Sequence, residues 1–226
     1  MTHTLPLQLR DGHVFVEIAG ELWLVDTGAP AGFGASPTVT IAGERFELNA
    51  DYLGLTAATL SEFVGVPCVG LLGADVLGRF DHIFDSAAGK LTVSTAELSH
   101  SGQQVRLDDL LGIPIVTVHI GGRPYRMFFD TGAQISYLQE DALKGFPAAG
   151  RVTDFYPGVG EFETDTHDVQ VSLEGVPFTL RCGTLPGLLG MSLSMAGTEG
   201  TEGIVGNAIL EKRTVGYFPR RGVMML

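Results

Sequence analysis

The chain has 226 residues, and its 26 acidic side chains outnumber its 14 basic ones to give a formal net charge of −12. Because 45% of the residues are apolar, a chain of this length can bury one sizeable core or two small ones. The acidic balance gives it no electrostatic reason to bind the phosphates of a nucleic acid, and no apolar run is long enough to span a bilayer.

The first half is predicted to consist of short strands joined by turns, which suits a chain with 31 glycines and 11 prolines. Residues 14–18 alternate between apolar and polar types, and a glycine turn then leads to an apolar strand over residues 22–25 that ends at Asp26. The further predicted elements are a hairpin over 39–48, a helix over 57–64, a short helix near Ala74 and a closing strand over 89–93.

The second half repeats this order. A strand over residues 115–120 leads to an apolar strand over 127–129 that ends at Asp130. The further predicted elements are a helix over 139–145, a hairpin over 169–180, a short helix near Asn207 and a closing strand over 222–226. The polar stretch at 99–109 connects the halves, so we predict lobes over residues 1–100 and 101–226.

Two internal repeats support this division. Gly-Leu-Leu-Gly-Ala-Asp-Val-Leu at 70–77 returns as Gly-Ile-Val-Gly-Asn-Ala-Ile-Leu at 203–210, an offset of 203 − 70 = 133. Asp-Thr-Gly-Ala at 26–29 returns at 130–133, an offset of 130 − 26 = 104. The difference, 133 − 104, means that the second half carries 29 additional residues between its two motifs.

The repeated pattern carries a resemblance. Each Asp-Thr-Gly-Ala follows an apolar strand, and each is followed later by two apolar residues and glycine, at 71–73 and 204–206. This resembles the pepsin-like and retropepsin-like aspartic peptidases, and it is closer to the retroviral type because the halves are short. The resemblance implies an all-β protein with a few short helices and the bilobal, pseudo-two-fold acid-protease barrel fold, with both halves in one chain.

The resemblance also implies the site. Asp26 and Asp130 would be the catalytic pair, sharing one proton and activating one water. Residues expected to support the pair are Thr27, Gly28, Ala29, Thr131, Gly132 and Ala133. Residues expected to pack beneath the catalytic loops are Leu72, Gly73, Val205 and Gly206. A second fit to the apolar-apolar-glycine step, at 187–190, is set aside because no closing strand follows it at the matching distance.

The additional residues of the second half predict a single flap. Two arms over residues 154–164 flank a Gly-Val-Gly tip, which resembles the mobile hairpin that closes over substrate in retroviral peptidases. The predicted flap residues are Tyr156, Gly158, Val159, Gly160 and Phe162. The alternative is that residues 150–165 form an ordinary surface loop. Tyr156 and Phe162 would line the cleft in a flap, or either would simply pack the hairpin. Residues 30–37 of the first half are too few for a second flap, which predicts a cleft that is wider on that side.

These features predict an aspartic endopeptidase that binds an extended peptide, works as a monomer and needs neither cofactor nor metal. Two alternatives stay open: a peptide-binding module with the same fold that cleaves weakly, and an unrelated all-β repeat protein in which both Asp-Thr-Gly copies are turns. No secretory pattern opens the chain, so we expect a soluble, cytoplasmic protein, without membrane or nucleic-acid partners, in which Cys68 and Cys182 are reduced.

Overall fold

The computed structural model describes residues 1–157, 159–186 and 201–226, and they form a mainly β protein, which confirms the predicted fold class. The strands of the first half are β1 (Thr2–Arg10), β2 (His13–Ile18), β3 (Glu21–Val25), β4 (Phe33–Gly34), β5 (Thr38–Ile41), β6 (Glu44–Glu47), β7 (Asp51–Tyr52), β8 (Leu55–Thr56), β9 (Gly70–Leu72), β10 (Asp81–Asp85) and β11 (Lys90–Ser94). Those of the second half are β12 (Gln104–Arg106), β13 (Asp108–Leu110), β14 (Ile113–Ile120), β15 (Arg123–Phe129), β16 (Ser136–Leu138), β17 (Ala148–Tyr156), β18 (Gly160–Leu173), β19 (Val176–Gly183), β20 (Thr201–Val205), β21 (Thr214–Phe218) and β22 (Val223–Met225).

Helices are few and short. The α-helices are α1 (Ala57–Phe63), α2 (Ala74–Leu77) and α3 (Glu140–Leu143), and single 3-10 turns cover Asn207–Leu210 and Pro219–Arg221. The predicted helices near Ala74 and Asn207 are therefore both present, the second as a 3-10 turn. No helix within the described ranges is long and apolar enough to cross a membrane.

A continuous sheet joins the two halves. Within the described residues its ten strands run in the order β12-β22-β21-β10-β11-β1-β2-β3-β9-β4, so the second half supplies three and the first half seven. The halves meet where β10 and β21 pair antiparallel, with His82 opposite Tyr217 and Phe84 opposite Val215. This seam is apolar, because the side chains of Phe84, Val215 and Tyr217 are all buried.

Each half repeats one arrangement of three strands around its Asp-Thr-Gly loop. β3 pairs in parallel with β9, and β9 pairs antiparallel with β4. In the second half β15 pairs in parallel with β20, and β20 pairs antiparallel with β16. Because β3 and β15 are covered on both faces, their last three residues are nearly all apolar and buried, as the unbroken apolar runs predict.

The halves differ in the segment between their repeated motifs. In the first half β4 has two residues and is followed by two small separate hairpins, β5–β6 and β7–β8, and then by α1. In the second half β19, β18 and β17 extend that half's own sheet, which runs in the order β13-β14-β15-β20-β16-β19-β18-β17. β17 and β18 pair antiparallel from Ala148 opposite His167 to Tyr156 opposite Gly160, with one register shift between Ala148 and Gly150. Residues 150–157 and 159–165 therefore belong to a hairpin rather than to an irregular loop.

Candidate active site

The carboxyl groups of Asp26 and Asp130 lie side by side where β3 and β15 end. The Asp26 N–H donates to the Leu72 carbonyl over 3.1 Å, and the Asp130 N–H donates to the Val205 carbonyl over 2.9 Å. These bonds continue the parallel strand pairs of each half by one residue. The two carboxyl groups are also hydrogen-bonded to each other.

Two glycines allow the carboxyl groups to approach the opposite loop. A Cβ placed on Gly28 would lie 2.3 Å from Cγ of Asp130, and one placed on Gly132 would lie 2.5 Å from Cγ of Asp26. No side chain fits at either distance, so each loop needs glycine at this position. The close approach is reciprocal, as expected if the two loops face each other across a pseudo-two-fold axis.

Backbone N–H groups orient both carboxylates. In each loop one carboxylate oxygen, Oδ1, accepts bonds from the N–H groups two and three residues further along the chain. The donors to Asp26 are Gly28 and Ala29, both at 2.8 Å, and the donors to Asp130 are Gly132 at 2.8 Å and Ala133 at 3.3 Å.

Thr27 and Thr131 tie the two loops together. The Thr27 hydroxyl donates to the Phe129 carbonyl over 2.6 Å and accepts from the Thr131 N–H over 3.0 Å. The Thr131 hydroxyl donates to the Val25 carbonyl over 2.7 Å and accepts from the Thr27 N–H over 3.1 Å. Both side chains are completely buried, so these four bonds fix the loops relative to each other without competition from water.

The predicted support residues lie directly beneath the loops. Leu72 and Val205 are buried at the ends of β9 and β20. A Cβ on Gly73 would lie 2.5 Å from a backbone carbon of Ala31, and one on Gly206 would lie 2.5 Å from the Ile135 carbonyl oxygen. The glycine of the apolar-apolar-glycine step is therefore required by close backbone packing in both halves.

The environment of the pair favours the retention of a proton. Burial, followed by the charge of Asp130 and the hydrogen bond to it, raises the pKa of Asp26 well above its usual range. Burial also raises the pKa of Asp130, although its hydrogen bonds to Asp26 and to the loop N–H groups act in the opposite direction. Two adjacent buried carboxyl groups cannot both ionise easily, so the pair favours sharing one proton.

The β17–β18 hairpin covers the pair. Tyr156 lines the cavity above both aspartates, and burial together with their charges raises the pKa of its phenol to about 12. Phe162, on the other arm, contacts the buried core of its own half, with its ring 6.2 Å from that of Tyr137. Val159 is exposed at the turn, and Gly160 has a positive φ of 87°. Gly158 lies outside the described residues, as do residues 187–190.

The hairpin also contacts the first half, on the side where the sequence predicts a wide cleft. The rings of Phe155 and Phe63 stack with centroids 4.6 Å apart and planes 11° from parallel. Leu55 and Leu60 fill the same side of the cavity. The enclosed space is only about 60 Å³, so the predicted widening is wrong because β8 and α1 occupy the place of a second flap.

Sequence reasoning missed several residues that line or brace this cavity. His13, Tyr137 and Asp154 line it, and the Asn207 amide donates to the carbonyls of Gly12 and Thr131 over 2.7 and 3.3 Å. Of these residues, only Asn207 could have been found from its place in the sequence, because it directly follows the glycine of the second apolar-apolar-glycine step. The other three come from separate strands that only the folded chain brings together.

Within the described ranges, His, Cys, Asp and Glu side chains nowhere form a group of three that could hold a metal. Cys68 and Cys182 are both buried and free. The sequence matches no protein-family model and no curated protein sequence.

Proposed function

We propose that this protein is an aspartic endopeptidase in which Asp26 and Asp130 activate a water molecule for hydrolysis of a peptide bond. The observation that carries the proposal is the pair itself: two carboxyl groups from equivalent loops, hydrogen-bonded to each other, each with its pKa raised by burial. A pair of turns in an unrelated repeat protein would have no reason to bring two acidic groups together in a buried place, since their repulsion costs stability.

In the proposed reaction the pair begins with one proton. The ionised carboxyl accepts a proton from the water as that water attacks the scissile carbonyl carbon. The protonated carboxyl donates a hydrogen bond to the carbonyl oxygen, where negative charge develops, and a proton then passes to the leaving nitrogen. The proton belongs to the pair, so neither role is assigned to one aspartate.

The cavity suits a peptide only after the hairpin moves. A space of about 60 Å³ holds a few waters and not an extended chain, so the β17–β18 hairpin must lift for substrate to enter. Once lowered, it would exclude water around the bond and strengthen the electrostatic interactions of the pair. The same cover favours the second candidate, a peptide-binding module, which would turn over slowly if the hairpin opened only rarely.

The test is digestion of a mixed peptide library at several pH values, with and without a pepstatin-type inhibitor. Cleavage should be inhibited, and Asp26→Asn and Asp130→Asn should each lower kcat/KM by roughly 10²–10⁴-fold. Asp168→Asn serves as the matched control, because this exposed residue lies outside the cavity. Undiminished cleavage by both variants would exclude the dyad mechanism. Peptide binding without cleavage would establish the binding module.

A further inference from the structure

The cavity contains a third carboxyl group that the proposed chemistry does not use. Asp154 lies on β17, in the arm of the hairpin that faces the catalytic pair, and only 9% of the residue is exposed. It lines the same space as Asp26 and Asp130, and its charge acts on the pKa of Asp130. A third acidic group beside two others is costly, which indicates that something compensates for it during function.

Asp154 is held firmly in place as a hydrogen-bond acceptor. The Tyr137 hydroxyl, on β16, donates to its Oδ2, and the Phe155 N–H donates to its Oδ1 over 2.8 Å. Tyr137 is itself buried, and burial, then the charge of Asp154, raises the pKa of its phenol. Both partners are donors, so neither supplies the positive charge that would balance a carboxylate.

His13 presents a second acceptor to this cavity. Its Nδ1 lies 3.1 Å from the Gly132 carbonyl oxygen, and because a carbonyl only accepts, Nδ1 carries the proton. Burial lowers the pKa of His13, although the bond to Gly132 and the charges of Asp154 and Asp130 act in the opposite direction, and the net shift favours a neutral ring with a lone pair on Nε2. His13 is only 4% exposed and lines the cavity, and among the described residues no hydrogen bond to its Nε2 accompanies the one at Nδ1.

The charges of the side chains that line the cavity indicate which chemical group would complement them. The described residues that line the cavity include three carboxyl groups and a neutral imidazole, and none is lysine or arginine. With one proton on the catalytic pair, a carboxylate at Asp154 would give the enclosed space two negative charges and an unused acceptor. An ammonium or guanidinium group offers several donors and the opposite charge, which satisfies both.

We propose that Asp154 and His13 form a subsite that binds a basic side chain, lysine or arginine, of a peptide next to the bond that is cleaved. This inference rests on the proposed peptidase function and adds its substrate class. The Asp154 carboxylate pairs with the cation, and Nε2 of His13 accepts one of its N–H groups. Tyr137 positions the carboxylate and does not itself carry the preference.

The experiment compares peptides that differ at one position beside the scissile bond: lysine against norleucine, and arginine against citrulline. The wild-type protein should cleave each basic peptide about 10- to 100-fold faster in kcat/KM than its neutral partner, as expected for one charge-assisted hydrogen-bonded pair. Asp154→Asn should lower this ratio to near one, because it slows cleavage of the basic peptides more than cleavage of their neutral partners. Tyr137→Phe, which removes a donor and keeps the charge, should retain the preference.

Glu161→Gln is the matched control, since it removes one acidic charge from an exposed position on the same hairpin and should leave the ratio unchanged. Cleavage of all four peptides at equal rates by the wild-type protein would overturn the subsite and leave the peptidase in place. An equal loss on basic and neutral peptides in Asp154→Asn would also overturn it, because Asp154 would then act only by holding the hairpin closed. Absence of any cleavage would instead refute the proposed function.

Discussion

The two halves of the chain agree in the loops that carry the carboxyl groups and differ in the segments that cover them. Around Asp26 and Asp130 the same backbone bonds, the same glycine contacts and the same threonine cross-bonds occur in both halves. Above the pair, the second half places the β17–β18 hairpin, whereas the first half places the turn into β8 and the helix α1.

This difference follows from what each part contacts. Each Asp-Thr-Gly loop packs against the other one. A substitution in one loop would have to be matched by a substitution in the other, so the two loops stay nearly identical. The covering segments contact each other and the enclosed space, and a long hairpin on one side leaves room only for something shorter on the other. Symmetry is therefore expected where the halves meet, and asymmetry where different segments of the two halves cover one shared cavity.

The threonine cross-bonds offer the strongest test of the symmetric part. Thr27→Val or Thr131→Val removes a hydroxyl that both donates and accepts, leaving a buried carbonyl and a buried N–H of the opposite loop without partners. At about 1–3 kcal/mol for each unpaired group, each variant should lose roughly 2–6 kcal/mol of unfolding free energy. Urea denaturation measures it.

Serine variants at the same positions keep the hydroxyl and should lose much less. If the two loops are equivalent, Thr27→Val and Thr131→Val should agree to within about 1 kcal/mol, given usual context effects. A large loss in one variant and a small loss in the other would show that the halves contribute unequally to the shared loop structure.

The second-largest predicted effect is a pH dependence of the unfolding free energy. It arises at the β10–β21 seam, at a position where the two halves carry different residue types. His82 and Val215 are equivalent by the offset of 133, since 215 − 82 = 133. Burial lowers the pKa of His82 from 6.5 to about 4. The ring is neutral in the folded state, so the stability that it contributes is present above pH 6.5 and is lost as the pH falls through 4.

His82→Val, which inserts the residue that the other half carries, should remove this acid sensitivity. The shift of 6.5 − 4 = 2.5 pKa units corresponds to about 3 kcal/mol, so the unfolding free energies of wild type and variant should diverge by that amount between pH 7 and pH 4. The raised pKa values of Asp26 and Asp130 change the unfolding free energy with pH in the opposite direction. This contribution is the same in wild type and variant, so it cancels when their unfolding free energies are subtracted. His3→Val, at an exposed position, is the control, and a difference that stays constant with pH would contradict the assignment.

The sequence predicted the symmetric part of the molecule well. Both apolar strands end at the aspartates, and both helical turns after Gly73 and Gly206 are present, because these elements are determined by short, repeated patterns. The two arms of the hairpin were also recognisable, because residues 154–164 resemble the flap of retroviral peptidases. In each case the signal lies within about ten neighbouring residues.

The asymmetric part could not be predicted in this way. His13, Tyr137 and Asp154 are far apart in the sequence and come together only through packing of β2, β16 and β17. The predicted wide cleft was wrong for a related reason: the helix that fills it was recognised as a helix, but nothing in its own residues shows that Phe63 faces the hairpin. Contacts between dissimilar segments produce no repeated sequence pattern from which they could be predicted.

The smallest predicted effect concerns the contact between the two covering segments, the helix α1 and the β17–β18 hairpin. The Phe63–Phe155 stack is partly exposed, so a double-mutant cycle with alanine should give a coupling energy of about 0.5–1.5 kcal/mol. The appropriate quantity is the free energy of hairpin opening. Amide hydrogen exchange at Val159 reports it, because that N–H donates to the Tyr156 carbonyl over 3.0 Å within the turn.

Phe162→Ala is the matched control, since this ring lies on the same hairpin but packs on Tyr137 of its own half and should show no coupling to Phe63. Coupling confined to the Phe63–Phe155 pair would mean that α1 stabilises the closed hairpin, as a second flap would do in a symmetric enzyme. Faster exchange in Phe63→Ala should then accompany easier entry of substrate and a lower KM. If exchange at Val159 is unchanged in Phe63→Ala, the hairpin is held by its own half alone, through contacts such as the bond between Tyr137 and Asp154.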